Sequence, residues 1–152
     1  MKFSMERSLE VLERTPTVLN QLLSGLSPEW THQNEGGDTW TAYDVIGHLI
    51  HGDKTDWLPR VELILSNNTN KKFATFDRFA QFENSKGKSL AQLLQVFALL
   101  RKECTGQLRR LNITEDDLVK PAFIHILEKL PCNNYYQPGW RMISIIFHKS
   151  RG

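Results

Sequence analysis

The sequence lacks several features that would place it in a specialised class of protein. Its only cysteines are Cys104 and Cys132, and no C-x-x-C pair is present. This argues against a disulfide framework or a cysteine zinc cluster and favours reduced thiols in the cytoplasm. There is no internal repeat and no apolar run long enough to cross a membrane. The N-terminal MKFSMERSLEVLER carries charges where a signal peptide needs an apolar core, so we expect a cytoplasmic protein.

The chain also has little excess charge of either sign. It contains 19 lysines and arginines and 17 aspartates and glutamates, which gives a net charge of +2. The basic residues are scattered, so they form no stripe that would attract a phosphate backbone or an anionic bilayer. We therefore expect neither nucleic acid nor a membrane as a partner. An apolar fraction of 40% over 152 residues is ordinary for one soluble globular domain.

Three segments have the apolar spacing of amphipathic helices. The periodicity predicts helices over about 4–25, 42–65 and 89–111. Pro16 should kink the first helix or divide it into two, and Pro59 should bend the second, because proline removes a backbone hydrogen bond. Thr41 followed by Asp44 resembles a capping box. The polar segment 67–87 carries four phenylalanines, and we expect a loop that is functional or packed by its own aromatic rings.

The segment TWTAYDVIGHLIHGDKTDWLPR resembles the second helix of the DinB-like superfamily, which includes metal-dependent S-transferases of the bacillithiol and mycothiol type. NEGGDTW before it, KKFATFDRFAQF after it and SLAQLLQVFALLR further on follow the order that is usual in that family. The resemblance covers roughly residues 5–123. It implies an all-α fold, a four-helix bundle of the up-down-down-up type.

The resemblance also implies a metal site. In this family three histidines hold a divalent ion such as zinc, nickel or iron, and the second-helix pattern W-x-x-x-D-V-x-x-H places one of them at His48. The other two belong to an H-D-x-x-H motif on the fourth helix, where both imidazoles share one face. These 152 residues contain no such motif. Because zinc, nickel or iron needs three or more protein ligands, we expect metal binding by this chain to be weak or absent.

A change of reading frame near Ile124 would explain the missing motif. When the last base of each codon is read with the first two bases of the next, CNNYY at 132–136 can encode only QQLL. The alternatives to the two glutamines are stop codons, and both possible codons at the last two positions encode leucine. Met142 followed by Ile143 can encode only aspartate. The free codon choices elsewhere permit HPHFGKVTMQQLLSTWVAHDLNHISQISR, which contains the family's T-W-x-x-H-D-x-x-H.

We therefore interpret residues 1–123 as the bundle and 124–152 as an aberrant tail in place of the fourth helix. His125 and His148 belong to this tail and are poor candidates for ligands. A mutation, a pseudogene and a sequencing error would each produce the same protein sequence. The nucleotide sequence around codons 122–124 would show an added or missing base if the interpretation is correct.

Other side chains close to His48 each have two interpretations. A lone histidine on a core-facing helix side is usually a hydrogen-bonded core residue, but the resemblance favours a ligand at His48. His51 lies one turn further on and could serve as an auxiliary ligand, although an exposed position is the favoured prediction. Asp53 and Asp56 could orient metal ligands, and a solvated helix face is favoured for both.

The remaining candidates are expected to have structural roles. Trp40 and Trp57 are predicted to pack against the bundle rather than contact a substrate. Cys104 falls on the apolar stripe of the third helix and should be buried and unreactive. Asp77 and Arg78 are predicted to form an ion pair that clamps the long loop, with substrate contact by Arg78 as the less favoured role.

The resemblance implies that an intact member is a metal-dependent thiol S-transferase or a hydrolase-like enzyme. The metal would lower the pKa of a low-molecular-weight thiol, and the thiolate would attack an electrophilic small molecule. This chain, with an incomplete site, is expected to have little activity. The alternative is a non-enzymatic helical bundle that serves binding or dimerisation, and a homodimer is compatible with both. The near-neutral charge argues against a DNA-binding function.

Overall fold

The computed structural model describes residues 4–69 and 72–118, and within these ranges the protein is helical with no strand. The helices in chain order are α1 (Met5–Leu23), α2 (Pro28–Thr31), α3 (Ala42–Thr55), α4 (Trp57–Leu65), α5 (Ala80–Ser85), α6 (Leu90–Arg110) and α7 (Glu115–Leu118). The prediction of an all-α fold is confirmed. The proposed boundary at residue 123 and the tail 124–152 lie outside the described residues. Within them, no helix has the length and apolarity to span a bilayer.

The long helix α6 forms the centre of the described bundle, because it packs against both α1 and α3. One apolar cluster joins α1, α3 and α6, and a second joins α1, α4 and α6. Phe97 of α6 and Ile46 of α3 lie in the same cluster and are completely buried. Burying a large apolar side chain contributes about 1.5–3 kcal/mol, so the helices are stabilised mainly by these shared clusters.

Pro16 does not divide the first helix. α1 continues from Met5 to Leu23 with Pro16 buried inside it, and the hydroxyl of Ser4 accepts the N–H of Arg7 at its beginning. Of the two predicted outcomes, two short helices are therefore wrong. The reason is tertiary: leucines on both sides of the proline are buried against the bundle, and this burial outweighs one lost backbone hydrogen bond.

The second predicted helix is two helices in the structure. α3 ends at Thr55, Asp56 departs from helical geometry with φ −113° and ψ −85°, and α4 begins at the next residue. The bend is confirmed, but it falls at Asp56 rather than at Pro59. Pro59 lies in the first turn of α4, where N–H groups have no partner within the helix. The capping box of Thr41 and Asp44 is confirmed, with reciprocal hydrogen bonds of 3.1 and 3.0 Å.

The segment 67–87 contains a short helix that its sequence pattern did not predict. This helix, α5, packs against α3. The hydroxyl of Tyr43 lies within hydrogen-bond distance of the carbonyl oxygens of Ser85 and Lys88, the second at 2.9 Å. Gly47 faces Ser85 so closely that a Cβ at position 47 would overlap the serine side chain. The second half of the predicted loop is therefore held tightly against α3.

A buried ion pair joins α3 to α6. Nε of Arg101 donates to Oδ2 of Asp53 at 2.8 Å, and its terminal nitrogen donates to Oδ1 at 2.8 Å. Nε1 of Trp57 donates to the same carboxylate at 2.7 Å. The prediction of a solvated face is wrong for Asp53, because its partner comes from a distant helix. Asp56 remains partly exposed and pairs with Arg60 at 2.6 Å.

Candidate functional site

His48 lies on α3 among aromatic side chains. Its ring centroid is 4.8 Å from that of Trp40 and 5.6 Å from that of Phe76, which meets it edge-on. Trp40 immediately precedes the capping box, so the start of α3 fixes this ring about two turns before His48. The ring of Phe82 on α5 lies roughly perpendicular to that of Trp40, with the ring centroids 6.1 Å apart. These four residues, together with Gln81 of α5, are called the His48 pocket below. The prediction that Trp40 packs within the fold is confirmed.

His51 borders the same pocket and is buried. Its exposed fraction is 9%, and its ring lies 4.9 Å from Phe76. Nε2 of His51 is 3.5 Å from the hydroxyl of Thr55. The prediction of an exposed His51 is therefore wrong, because Phe76 arrives from the segment after α4 and covers it. The structure thus brings both predicted histidines, His48 and His51, into contact with one phenylalanine.

The environment of His48 favours the neutral imidazole. Burial lowers the pKa of His48 below its ordinary value, and the neighbouring His51 and Arg78 lower it further. The nearby carboxamide of Gln81 opposes this shift, because it lies close enough to favour the charged ring, although the two groups do not meet in good hydrogen-bond geometry. At neutral pH the ring therefore keeps one nitrogen with a free lone pair, which is the form that binds a metal ion or accepts a proton.

Gln81 is a pocket residue that sequence reasoning missed. It lies on α5, is 1% exposed, and has no hydrogen-bond partner for either amide atom. Nδ1 of His48 is likewise buried without a partner. The only local signal was a glutamine between two phenylalanines, Phe79 and Phe82, and that pattern does not indicate which of the three is buried.

Arg78 closes the outer side of the pocket without the predicted ion pair. Its guanidinium lies over the rings of Trp40 at 5.6 Å and Phe79 at 5.0 Å. The carboxylate of Asp77 instead accepts the N–H of Phe79 at 3.0 Å. The prediction of an Asp77–Arg78 salt bridge is therefore wrong. A cation over an aromatic face is favourable, so Arg78 helps to hold the loop against α3.

The side chains near His48 provide fewer metal ligands than a typical metal site requires. Among residues 4–69 and 72–118, no group of three or more histidine, cysteine or acidic side chains is arranged to hold one. His48 and His51 supply two imidazoles near each other, and a typical zinc or nickel site needs at least three protein ligands. The described residues therefore do not form a complete site on their own.

Cys104 lacks the properties of a reactive thiol. It is 4% exposed, and its Sγ lies 3.6 Å from the carbonyl oxygen of Asp53. Burial, reinforced by the Asp53 carboxylate, raises the pKa of Cys104 to about 11. The prediction of a buried cysteine is confirmed, and the thiolate that would react is scarce at neutral pH.

We expect Cys104 to resist alkylation in the folded protein. In a Cys132→Ser chain, which leaves one thiol, iodoacetamide at pH 8 should modify the folded protein at least roughly a hundred-fold more slowly than the urea-unfolded protein. The folded rate should rise as the pH approaches 11, since the thiolate forms only there. Mass spectrometry of timed samples measures both rates. Equal rates in the two states would contradict the assigned environment.

A helical bundle with a partly buried imidazole between its helices is a framework on which metal-dependent sites are commonly built. The chain belongs to the DinB superfamily, whose family model matches residues 11–148. This match includes most of segment 124–152, so it does not separate the proposed tail from the bundle. No curated protein matches the chain.

A solved structure supports the same fold. The chain is similar to YfiT from Bacillus subtilis, which is described as a probable metal-dependent hydrolase with an unusual four-helix bundle topology. The two share 23% sequence identity with a TM-score of 0.62, over 77% of this chain and 67% of the other. The predicted DinB-like four-helix bundle fold is therefore confirmed.

Proposed function

We propose that the His48 pocket is the retained part of a metal-dependent site, and that the intact site serves a thiol S-transferase or a related hydrolase. The observation that carries the proposal is the imidazole of His48, held neutral by burial in an aromatic pocket beside His51. The description of YfiT as a probable metal-dependent hydrolase supports a metal in this superfamily. The proposed substrates are a low-molecular-weight thiol and an electrophilic small molecule.

The proposal includes an incomplete site in this chain. The H-D-x-x-H pair is missing from the 152 residues, and the described residues do not supply a third ligand. A two-imidazole site holds a divalent ion weakly, so the chain should have little activity. According to the reading-frame interpretation, the H-D-x-x-H pair encoded in the shifted frame would complete the site.

The test compares two chains for bound metal. One is the unsubstituted 152-residue chain. The other, called the restored chain, has residues 124–152 replaced by HPHFGKVTMQQLLSTWVAHDLNHISQISR. After incubation with zinc or nickel and gel filtration, elemental analysis should find far less than one ion per chain in the first and about one in the second. His48→Ala should remove the ion from the second chain, because one of three ligands is lost.

The matched control is His32→Ala, since His32 is exposed and stacks on Tyr43 away from the pocket. It should leave the metal content of the restored chain unchanged. A stoichiometric ion in the chain as given, lost on His48→Ala, would contradict the incomplete site. No ion in the restored chain would overturn the metal-dependent function and leave the second candidate, a bundle that acts by binding or dimerisation.

A further inference from the structure

Two neighbouring polar groups in the His48 pocket are buried and unpaired. Neither amide atom of Gln81 has a hydrogen-bond partner, and neither has Nδ1 of His48. Gln81 is only 1% exposed, so bulk solvent does not reach its carboxamide. Nine in ten or more buried polar groups in proteins are hydrogen-bonded, and leaving one unpaired is costly. A pair of such groups side by side therefore calls for an explanation.

The packing of α5 on α3 places these two groups together. A Cβ at Gly47, the residue before His48, would lie 3.8 Å from Cβ of Gln81. Ser85, one turn after Gln81, occupies the space above Gly47. Tyr43 fixes the end of α5 by its contact with the Ser85 carbonyl oxygen. The backbone that carries Gln81 is thus anchored beside His48 at two points.

We propose that the carboxamide oxygen of Gln81 accepts a hydrogen bond from Nδ1–H of His48 and so fixes the tautomer of the ring. Rotation of the glutamine side chain would direct its oxygen toward Nδ1, since Gln81 packs beside the residue that precedes His48 and neither group has another partner. Trp40 and Phe76 also contact the ring and restrict its reorientation. The lone pair is then held on Nε2, the nitrogen left to bind an ion or accept a proton.

Gln81 is accordingly a positioning residue that acts through His48. Its hydrogen bond does not require a bound metal, whereas its importance for catalysis rests on the proposed function. A ligand imidazole almost always donates its other N–H to a carbonyl or carboxylate oxygen, and Gln81 supplies such an oxygen from a different helix. The restored fourth helix is not needed for this contact.

The tautomer can be measured directly by NMR of the ring nitrogens in the full chain, at a pH where His48 is neutral. The His48 signals are assigned by their loss in His48→Ala. We expect Nδ1 to carry the proton in the unsubstituted chain. In Gln81→Met, which keeps the length but loses the acceptor, the ratio of Nδ1–H to Nε2–H tautomers should fall roughly ten-fold.

Two further variants make the result decisive. Gln81→Glu keeps an acceptor oxygen and should preserve the Nδ1–H tautomer, while Gln95→Met, an exposed glutamine on α6, should change nothing. An Nε2–H tautomer in the unsubstituted chain, or an unchanged ratio in Gln81→Met, would overturn the proposal. If Gln81→Met does not fold, an Nε2–H tautomer in Gln81→Glu would overturn it equally. These outcomes are independent of metal content, so they are distinguishable from a failure of the proposed function.

Discussion

Replacing Arg101 with methionine is expected to lower the free energy of unfolding by about 3–5 kcal/mol, because the Asp53 carboxylate would stay buried without its partner. The side chains of Arg101 and Asp53 are 4% and 1% exposed, and two hydrogen bonds of 2.8 Å join them. Arg101 also lies over the Phe97 ring at 4.8 Å, so the variant loses that contact as well. Urea unfolding followed by circular dichroism measures the loss.

Two comparisons separate the buried charge from lost packing. The double variant Asp53→Leu with Arg101→Met should recover much of the stability, because removing both buried charges is often neutral or stabilising. Arg109→Met should have little effect, since Arg109 and its partner Glu13 are 44% and 40% exposed. If Arg101→Met and Arg109→Met lowered stability equally, the ion pair would not have the structural role assigned to it.

The chain carrying HPHFGKVTMQQLLSTWVAHDLNHISQISR in place of residues 124–152 should be more stable than the chain as given by about 5 kcal/mol or more. A fourth amphipathic helix would bury about five large apolar side chains, each contributing about 1.5–3 kcal/mol. The dependence of unfolding free energy on urea concentration should also steepen, because unfolding would expose more surface. Urea titration of both chains measures the midpoint and the slope.

A third chain with the same restored residues in scrambled order is the matched control for this comparison. It has the same composition without the helical period, so its midpoint should stay close to that of the chain as given. Should the restored chain unfold at the same midpoint and with the same slope as the given chain, the reading-frame interpretation would lose its physical basis. The two measurements do not depend on any bound ion.

Helices could be predicted where neighbouring residues alone, through apolar spacing and capping side chains, determine them. The third predicted helix, 89–111, differs from the observed α6 by one residue at each end, and the capping box at Thr41 was recognisable from two side chains. Apolar spacing and capping depend on residues within one or two turns of each other, so a single sequence shows them. The break at Asp56 is less visible, because no proline or glycine stands at that position.

For the residues whose exposure was wrongly predicted, burial depends on contacts with distant segments of the chain. Asp53 was expected in solvent, but Arg101 reaches it from another helix across 48 positions of the chain. His51 was expected to be exposed, but Phe76 covers it. A helix face that is locally polar gives no sign of such partners, since the pairing exists only after the helices pack.

The candidate site was predictable only in part for the same reason. His48 followed from a motif on one helix and a family resemblance. Gln81 was not foreseen, because it lies in a segment with no strong period and becomes buried only when α5 docks on α3. The aromatic neighbours of His48 come from two separate stretches of chain, Trp40 before α3 and Phe76 before α5.

The packing of α5 against α3 beside His48 depends on Gly47. Because Gly47 has no side chain, Ser85 of α5 can approach α3 closely at the residue next to His48. With any larger residue there, either the Ser85 hydroxyl would have to rotate away or α5 would have to move from α3. A single methyl group added at position 47 would thereby alter the packing of the helix that carries Gln81 beside His48.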